Sequence, residues 1–418
     1  SRNPEAVQAE ADAGEAYHKN SVQAAIYAAR SAVATDPKFV RAWIFLAGVL
    51  VDSGQIERAI EAYHKAIEAD LHQPLSYEGL AILLMSEGRY EEAVEVCEDL
   101  LKIEPESATA LLNLGSAEMK LGRAAEAASN LESALRVLPA SVSLQIQLGE
   151  AYSRSGKSDK AFAAFSKALE IQPGARTESS IAYTLAEAHT DLKDALQWAE
   201  SAVRRECQAS TQVTLSHLIP EDLVLTQNLA AYWDTLGWVH FQLGNLDQAE
   251  RYLGAAWTLS QHAIVGNHLG QVYERKQKKQ EAIKSYATAV AANDRMKEPR
   301  ERLIALLGNS AAVTTAVNNA RSELSQMRST HLTQIVSGSA SSDFFVLFSQ
   351  RAKVEEVKFV SGSEELRSAG QVLRSAKFNV LFPDDEPTRL VRRGVLACSA
   401  ISGCEFVLMT PNTVRSVD

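Results

Sequence analysis

Between Tyr77 and Pro173 the apolar and small positions return on a period of 34 residues. Leu80, Leu114 and Leu148 form one row, and Ala81, Gly115 and Gly149 the next. Ala93, Ala127 and Ala161 follow, and then Pro105, Pro139 and Pro173. A stacked array leaves such a trace, because each small unit buries its apolar face against its neighbour. Within a unit the pattern predicts two antiparallel helices. Small residues stand where the pair crosses closely, aliphatic or aromatic residues fill the space beside them, and a proline ends the second helix because it has no N–H to continue the ladder.

The rows extend in both directions with changes. The second unit matches through Trp43, Leu46, Ala47, Ala59, Tyr63 and Ala66, with Leu71 in place of the proline. The first, from about Ala6 to Pro37, fits through Gly14, Tyr17, Ala25, Ala32 and Pro37 only if one residue is lost from its turn. A sixth unit, Thr177 to Glu206, keeps Ala195 and Ala202 but lacks the leucine and glycine of its first helix and reads as having a turn shortened at Asp191. Ser210 to Pro220 has no period, so an insertion or bend is expected near 207–228. The seventh unit carries Trp233, Leu236, Gly237, Ala249, Leu253 and Ala256, and the eighth Leu269, Gly270, Tyr273, Ala282, Tyr286 and Ala289. The array therefore occupies 1–294 in about eight units.

Beyond it, Leu303, Ile304, Leu306 and Leu307 predict a helix ending at Gly308, and Val313, Val317, Ala320, Leu324 and Met327 an apolar stripe at 4,3,4,3 spacing. Residues 295–337 read as capping and linker helices, and Gly338 to Ser342 as a small-residue linker. Residues 343–418 read as a small α+β domain: strands at Phe344–Phe348 and Val354–Val360, a helix at Glu364–Ala376, and a terminal hairpin of Leu390–Ala397 and Glu405–Thr410. That order gives an antiparallel sheet with a helix on one face and an exposed edge. The fold class is mainly α, a helical-hairpin superhelix followed by this domain.

Gln145, Leu148, Gly149, Tyr152, Ala161, Phe165, Ala168 and Pro173 follow the residue order of the tetratricopeptide repeat (TPR), and the array resembles that family. The resemblance implies a non-catalytic scaffold that binds a protein or peptide along the concave side, at the second, fifth, ninth and twelfth positions of each first helix. Here these are Arg41, Ile44, Gly48 and Val51, then Leu75, Glu78, Ile82 and Met85, then Thr109, Leu112, Ser116 and Met119. The face is largely apolar, and only Arg41 suits the basic clamp that such repeats use on chaperone tails, so an apolar helix or peptide is the expected occupant. The alternative occupant is a helix of the same chain, the stripe from Val313. From Lys353 onward the chain resembles the C-terminal domain of TonB-type energy transducers, through Lys353-Val354, Val357, Ser361-Gly362-Ser363, Leu373, Ala376-Lys377-Phe378 and Pro383. Two further roles follow as alternatives: the accessory half of a larger envelope enzyme, for example a transglutaminase-like protein, or a TonB-like coupling protein of a bacterial envelope.

The formal net charge of −10 belongs to the repeats, because the stretch from Asp343 onward holds ten Lys plus Arg and ten Asp plus Glu. Phosphate contacts need clustered cations, so no nucleic acid is expected as a partner. Arg275, Lys276, Lys278 and Lys279 form a dense basic run, read as a solvated turn. No apolar run approaches the roughly 20 residues that span a bilayer, and no membrane insertion is expected. The chain begins at Ser1, as an excised fragment would, so a missing leader decides nothing.

No phosphate loop, dinucleotide fingerprint or metal-ligand spacing is legible, the nine histidines are dispersed, and no catalytic residue, metal or cofactor is assigned. His262 and His268, six apart, are badly spaced for one helical face. Cys97 replaces the aromatic of its repeat and reads as buried. Cys207 stands beside Arg204 and Arg205, whose charges would lower its pKa. Cys398 and Cys404 flank a short loop between two predicted strands, where facing positions lie about 4.5 to 5.5 Å apart at Cβ, and a disulfide is expected. A disulfide implies an oxidising compartment, the periplasm or cell envelope; two free thiols would imply the cytoplasm.

Overall fold

The computed structural model describes residues 3–384 and 386–411. The chain divides into two compact units, Ser1–Ile171 and Gln172–Asp418. The first holds five helical hairpins: α1 (Pro4–His18) with α2 (Val22–Thr35), α3 (Val40–Asp52) with α4 (Ile56–Ala69), α5 (Pro74–Ser86) with α6 (Tyr90–Ile103), α7 (Ala108–Lys120) with α8 (Ala124–Val137), and α9 (Val142–Arg154) with α10 (Ser158–Ile171). Each hairpin closes through three residues. Gly54, Gly88, Gly122 and Gly156, themselves 34 apart, sit in the middle of that turn at φ of +73° to +77°, where a side chain is strained.

Asn20 takes the same place in the first hairpin, at φ +56°. This hairpin is therefore in strict register and has lost no residue, against the sequence expectation. Its crossing residue is Ala13, fully buried, and Tyr17 is 37 % exposed. Adjacent small residues at 13 and 14 make the row ambiguous by one position, and burial selects the alanine. At the later crossings contact is close enough to exclude any side chain: a Cβ on Gly149 would lie 2.3 Å from the Phe165 ring, and one on Gly115 2.9 Å from Leu131.

The second unit opens with α11 (Ala175–Ala188) and α12 (Leu192–Ser210), a 3-10 turn at Leu215–His217, then α13 (Pro220–Gln242), α14 (Leu246–Ser260), α15 (Ala263–Arg275), α16 (Lys279–Ala292), α17 (Lys297–Leu307) and α18 (Ser310–Gln326). The α11–α12 turn is not shortened; it keeps three residues but places His189 and Asp191 at positive φ. The insertion is smaller than 207–228, because α12 runs to Ser210 and α13 starts at Pro220, leaving a loop of 211–219. Asp222 accepts the Ile219 N–H at 3.0 Å and fixes the start of α13. The stripe of α18 is spent inside this unit: Val313, Val317 and Ala320 are buried with Leu303 against Ala282, Tyr286, Ala287 and Val290. That packing removes the reason to seat α18 on the face of α3, α5 and α7.

Five strands follow: β1 (Ser329–Leu332), β2 (Ala340–Ser349), β3 (Lys353–Gly362), then a 3-10 turn at Glu364–Ala369 leading into α19 (Gly370–Ser375), β4 (Leu390–Ser399) and β5 (Gly403–Leu408). Their order is β1-β5-β4-β2-β3, with every pair antiparallel. Two expectations change here. Ala340–Ser342 form no linker but pair with Cys398–Leu396, and the stretch 295–337 contributes a strand as well as helices. Small residues hydrogen-bond through their backbone as well as any others, so composition alone misplaced the strand's start.

The sheet packs through both faces. Phe345, Leu347 and Val391 bury against Val213, Leu215, Leu218 and Leu223, so the unpatterned insertion is the surface that receives the sheet. Backbone ties reinforce it: Arg389 Nη1 donates to the Thr211 and Val213 carbonyls at 2.9 Å, the Val391 N–H to Thr226 Oγ1 at 3.0 Å, and the Leu215 N–H to Glu356 at 2.9 Å. On the other face Phe378 meets Phe348 and Phe406 edge-on, at 5.3 and 5.7 Å between ring centroids. Among the described residues no helix is long and apolar enough to cross a membrane.

Candidate partner-binding faces

In the first unit, α3, α5 and α7 are successive first helices lying side by side. Along α5, Leu75 and Ile82 are 59 % and 57 % exposed, while Met85 and Glu78 are half-buried. Ile44, Gly48 and Val51 on α3 and Leu112 and Ser116 on α7 are also half-buried, and Thr109 is exposed. Two residues leave the expected face. Met119 is buried, and Arg41 is tied back to Glu10 at 2.6 Å, beside the Phe39 ring. What remains outward is an apolar strip centred on Leu75 and Ile82.

In the second unit the corresponding helices α11, α13 and α15 enclose a cavity of about 370 Å³ that the sequence did not suggest. Ala230, Ala231, Ile264 and Val265 supply its apolar wall, and Tyr183, Asp234 and His262 its polar groups. Tyr183 occupies the register of Gly149, one period on, so the loss of a small residue there was the available signal. Its phenol is pushed up in pKa by burial first and then by the charges of Glu187, Asp234 and Glu298. Asp234 holds His268 Nδ1 at 2.9 Å, the imidazole stacks on Trp238 at 4.0 Å, and Trp238 Nε1 donates to Glu187 at 2.6 Å. Asp234 and His268 are 34 apart, and a fixed period makes such residues neighbours on consecutive first helices. The spacing between His262 and His268 was the wrong interval to weigh.

Two chemical expectations are corrected. Cys207 is not activated by its arginines: it is buried, and desolvation pushes the thiol up to about 12. The basic run is not a free solvated turn. Lys276 binds Asp247 and Glu250 at 2.5 Å, Lys278 binds Glu250 at 3.1 Å, and Arg275 donates to the Phe241 carbonyl at 3.2 Å, so the run ties α15 to the preceding hairpin. Cys97 is buried as expected of a small apolar residue, with its thiol likewise pushed up to about 12. Cys398 and Cys404 are register partners across β4 and β5 and are joined as a disulfide.

Models of the tetratricopeptide repeat match residues 46–108, 106–174 and 235–296. The hairpins over these residues are tetratricopeptide repeats. A TPR protein from Parabacteroides merdae shares its fold over 73 % of this chain and 100 % of its own, at 16 % identity and a TM-score of 0.50. MamA is similar over 40 % of this chain and 91 % of its own, at 22 % identity and a TM-score of 0.38. YrrB, described as a TPR protein with an unusual peptide-binding site, is similar over 42 % and 90 %, at 24 % identity and a TM-score of 0.35. No curated protein sequence matches the chain. The matches fall on α3 to α10 and on α13 to α16, and leave α1, α2, α11, α12 and the sheet unmatched.

Proposed function

We propose that this protein is an interaction scaffold, and that the strip on α3, α5 and α7 takes an apolar helix or extended segment of a partner protein. The observation that carries the reading is the exposure of Leu75 and Ile82 two turns apart on α5, flanked by Met85 and Leu112. Large aliphatic side chains left exposed on one face, here with Glu78 between them, support an interface there. A photo-reactive residue at position 82 would capture the partner, and its affinity would then be measured with Leu75→Asp and Ile82→Asp combined. Because both side chains are largely exposed, the fold should be retained. Affinity should fall by about 100-fold, in line with the roughly 2 kcal/mol or more that an interface anchor contributes. Unchanged affinity in a folded variant would sink the assignment.

The compartment belongs to the same proposal. With Cys398 and Cys404 bridged, the protein suits an oxidising space, and the TonB-like motif from Lys353 points to a cell envelope. On the chain-entropy model, so short a ring stabilises the terminal hairpin by roughly 2 kcal/mol. Alkylation of denatured protein taken directly from its native compartment should label two thiols, Cys97 and Cys207, and four after reduction. Four labelled thiols without reductant would place the chain in a reducing compartment.

A further inference from the structure

The scaffold reading rests on the first unit and leaves unused the cavity that α11, α13 and α15 enclose in the second. At about 370 Å³ this cavity stands at the lower end of the range for small-molecule sites, with room for roughly ten water-sized groups. Ala230, Ala231, Ile264 and Val265 give it an apolar wall, and Asp234 and Tyr183 reach it with polar groups. One Asp234 oxygen accepts from His268 Nδ1 at 2.9 Å, a bond that a neutral imidazole donates as well as a charged one. The other oxygen and the Tyr183 hydroxyl have no hydrogen-bond partner among the described residues. Two further polar groups of the lining are already bonded: Thr235 Oγ1 to Ser179 at 3.1 Å, and Ser260 Oγ to the Ala256 carbonyl at 3.0 Å.

The charge at this place is one-sided. The Asp234 side chain is 14 % exposed, it pairs with no lysine or arginine among the described residues, and neither residue type lines the cavity. Other carboxylates on first helices of the same unit have their cations: Glu274 meets Arg302 at 2.7 Å, and Glu178 meets Arg205 at 3.1 Å. Nearby acids deepen the imbalance, since Glu187 and Glu298 join Asp234 in raising the Tyr183 phenol. His262 also lines the cavity but is exposed to solvent. A carboxylate so far withdrawn from water is stabilised when a cation meets it, and water in the cavity would satisfy its oxygen without supplying charge. A complementary ligand therefore carries a positive donor head and an apolar body.

We propose that this cavity binds a small primary amine, its ammonium group held by Asp234 and the Tyr183 hydroxyl and its apolar body laid against Ala230, Ala231, Ile264 and Val265. An ammonium offers three N–H donors in a compact head, enough for both oxygens. Calorimetric titration of the full chain at neutral pH with phenethylamine tests it, with phenethyl alcohol and phenylpropionate as neutral and anionic counterparts on a similar body. One saturable site per chain is expected for the amine, with the alcohol at least tenfold weaker and no saturable binding of the acid. Asp234→Asn keeps an oxygen for His268; it should weaken the amine at least tenfold, as loss of a charged hydrogen bond implies, and leave the alcohol unchanged. Ala231→Phe, at an exposed position, should fill the space and weaken both. The combined Leu75→Asp and Ile82→Asp variant should bind the amine as the parent does, so this site and the strip of the first unit stand or fall separately. If Asp234→Asn does not fold, the preference for amine over alcohol and the Ala231→Phe variant carry the test. No saturable site for the amine, an alcohol that binds equally well, or parental affinity in either folded cavity variant overturns the proposal.

Discussion

Leucine in place of Gly149 is expected to destabilise the first unit by about 3 kcal/mol, the upper part of the usual range for overpacking. The reason is local and steric. A Cβ here would lie 2.3 to 2.6 Å from three atoms of the Phe165 ring, and Phe165 is 2 % exposed, enclosed between α9 and α10. The ring has no free volume to turn into, so the two helices must part. Each hairpin leans on the next, and α8 should loosen with them. Hydrogen exchange followed by mass spectrometry would show lost protection across α8, α9 and α10, with α1 to α3 retained. Protection equal to that of the parent throughout would mean that the crossing is not close-packed.

Truncation of Trp233 to alanine should cost the second unit about 3 to 5 kcal/mol, the range for deleting a large buried aromatic. Trp233 is 1 % exposed and meets Phe382 edge-on, with ring centroids 6.3 Å apart. Phe382 belongs to the segment between α19 and β4, which is further held by Tyr252 to Asp384 at 2.5 Å and by the Leu381 N–H to Thr258 Oγ1 at 3.4 Å. The tryptophan therefore supports both its own hairpin and the strap that runs to the sheet. In urea the unfolding midpoint of this unit should fall, and Phe382→Ala added to Trp233→Ala should cost less than the sum of the two, because the rings share one contact. Full additivity would remove the link between strap and hairpin, and an unchanged midpoint in the single variant would remove the burial argument altogether.

The hairpins were legible because their determinants are local. Leucine, glycine and alanine at fixed offsets specify two helices and a turn, and a 34-residue repeat of them specifies the stack, so α3 to α10 and α13 to α16 follow from the rows. The same logic fails by one residue at Ala13 and Gly14, where two small residues stand together and only burial distinguishes them. On α7 the ninth and twelfth positions look equivalent in the pattern, yet Ser116 bonds Gln147 on α9 at 3.1 Å while Met119 turns inward.

The features that carry new chemistry lie between segments far apart in the chain, where no period connects them. Thr211 and Arg389 are 178 residues apart, and nothing in either neighbourhood marks the loop at 211–219 as the surface that receives a sheet. Asp234 and His268 stand in register, but their bond depends on two neighbouring first helices lying side by side. Arg392 and Arg393 stand side by side in the predicted strand Leu390–Ala397, and nothing in the sequence tells their surroundings apart. Only strand pairing turns Arg393 toward Asp343 and Arg392 into the core, since successive strand residues face opposite sides. Sequence by itself determined the repeat, because periodic burial is written in every unit. Tertiary structure alone decided where the sheet docks and which charges lack a partner, because those depend on non-local contacts that leave no pattern in the chain.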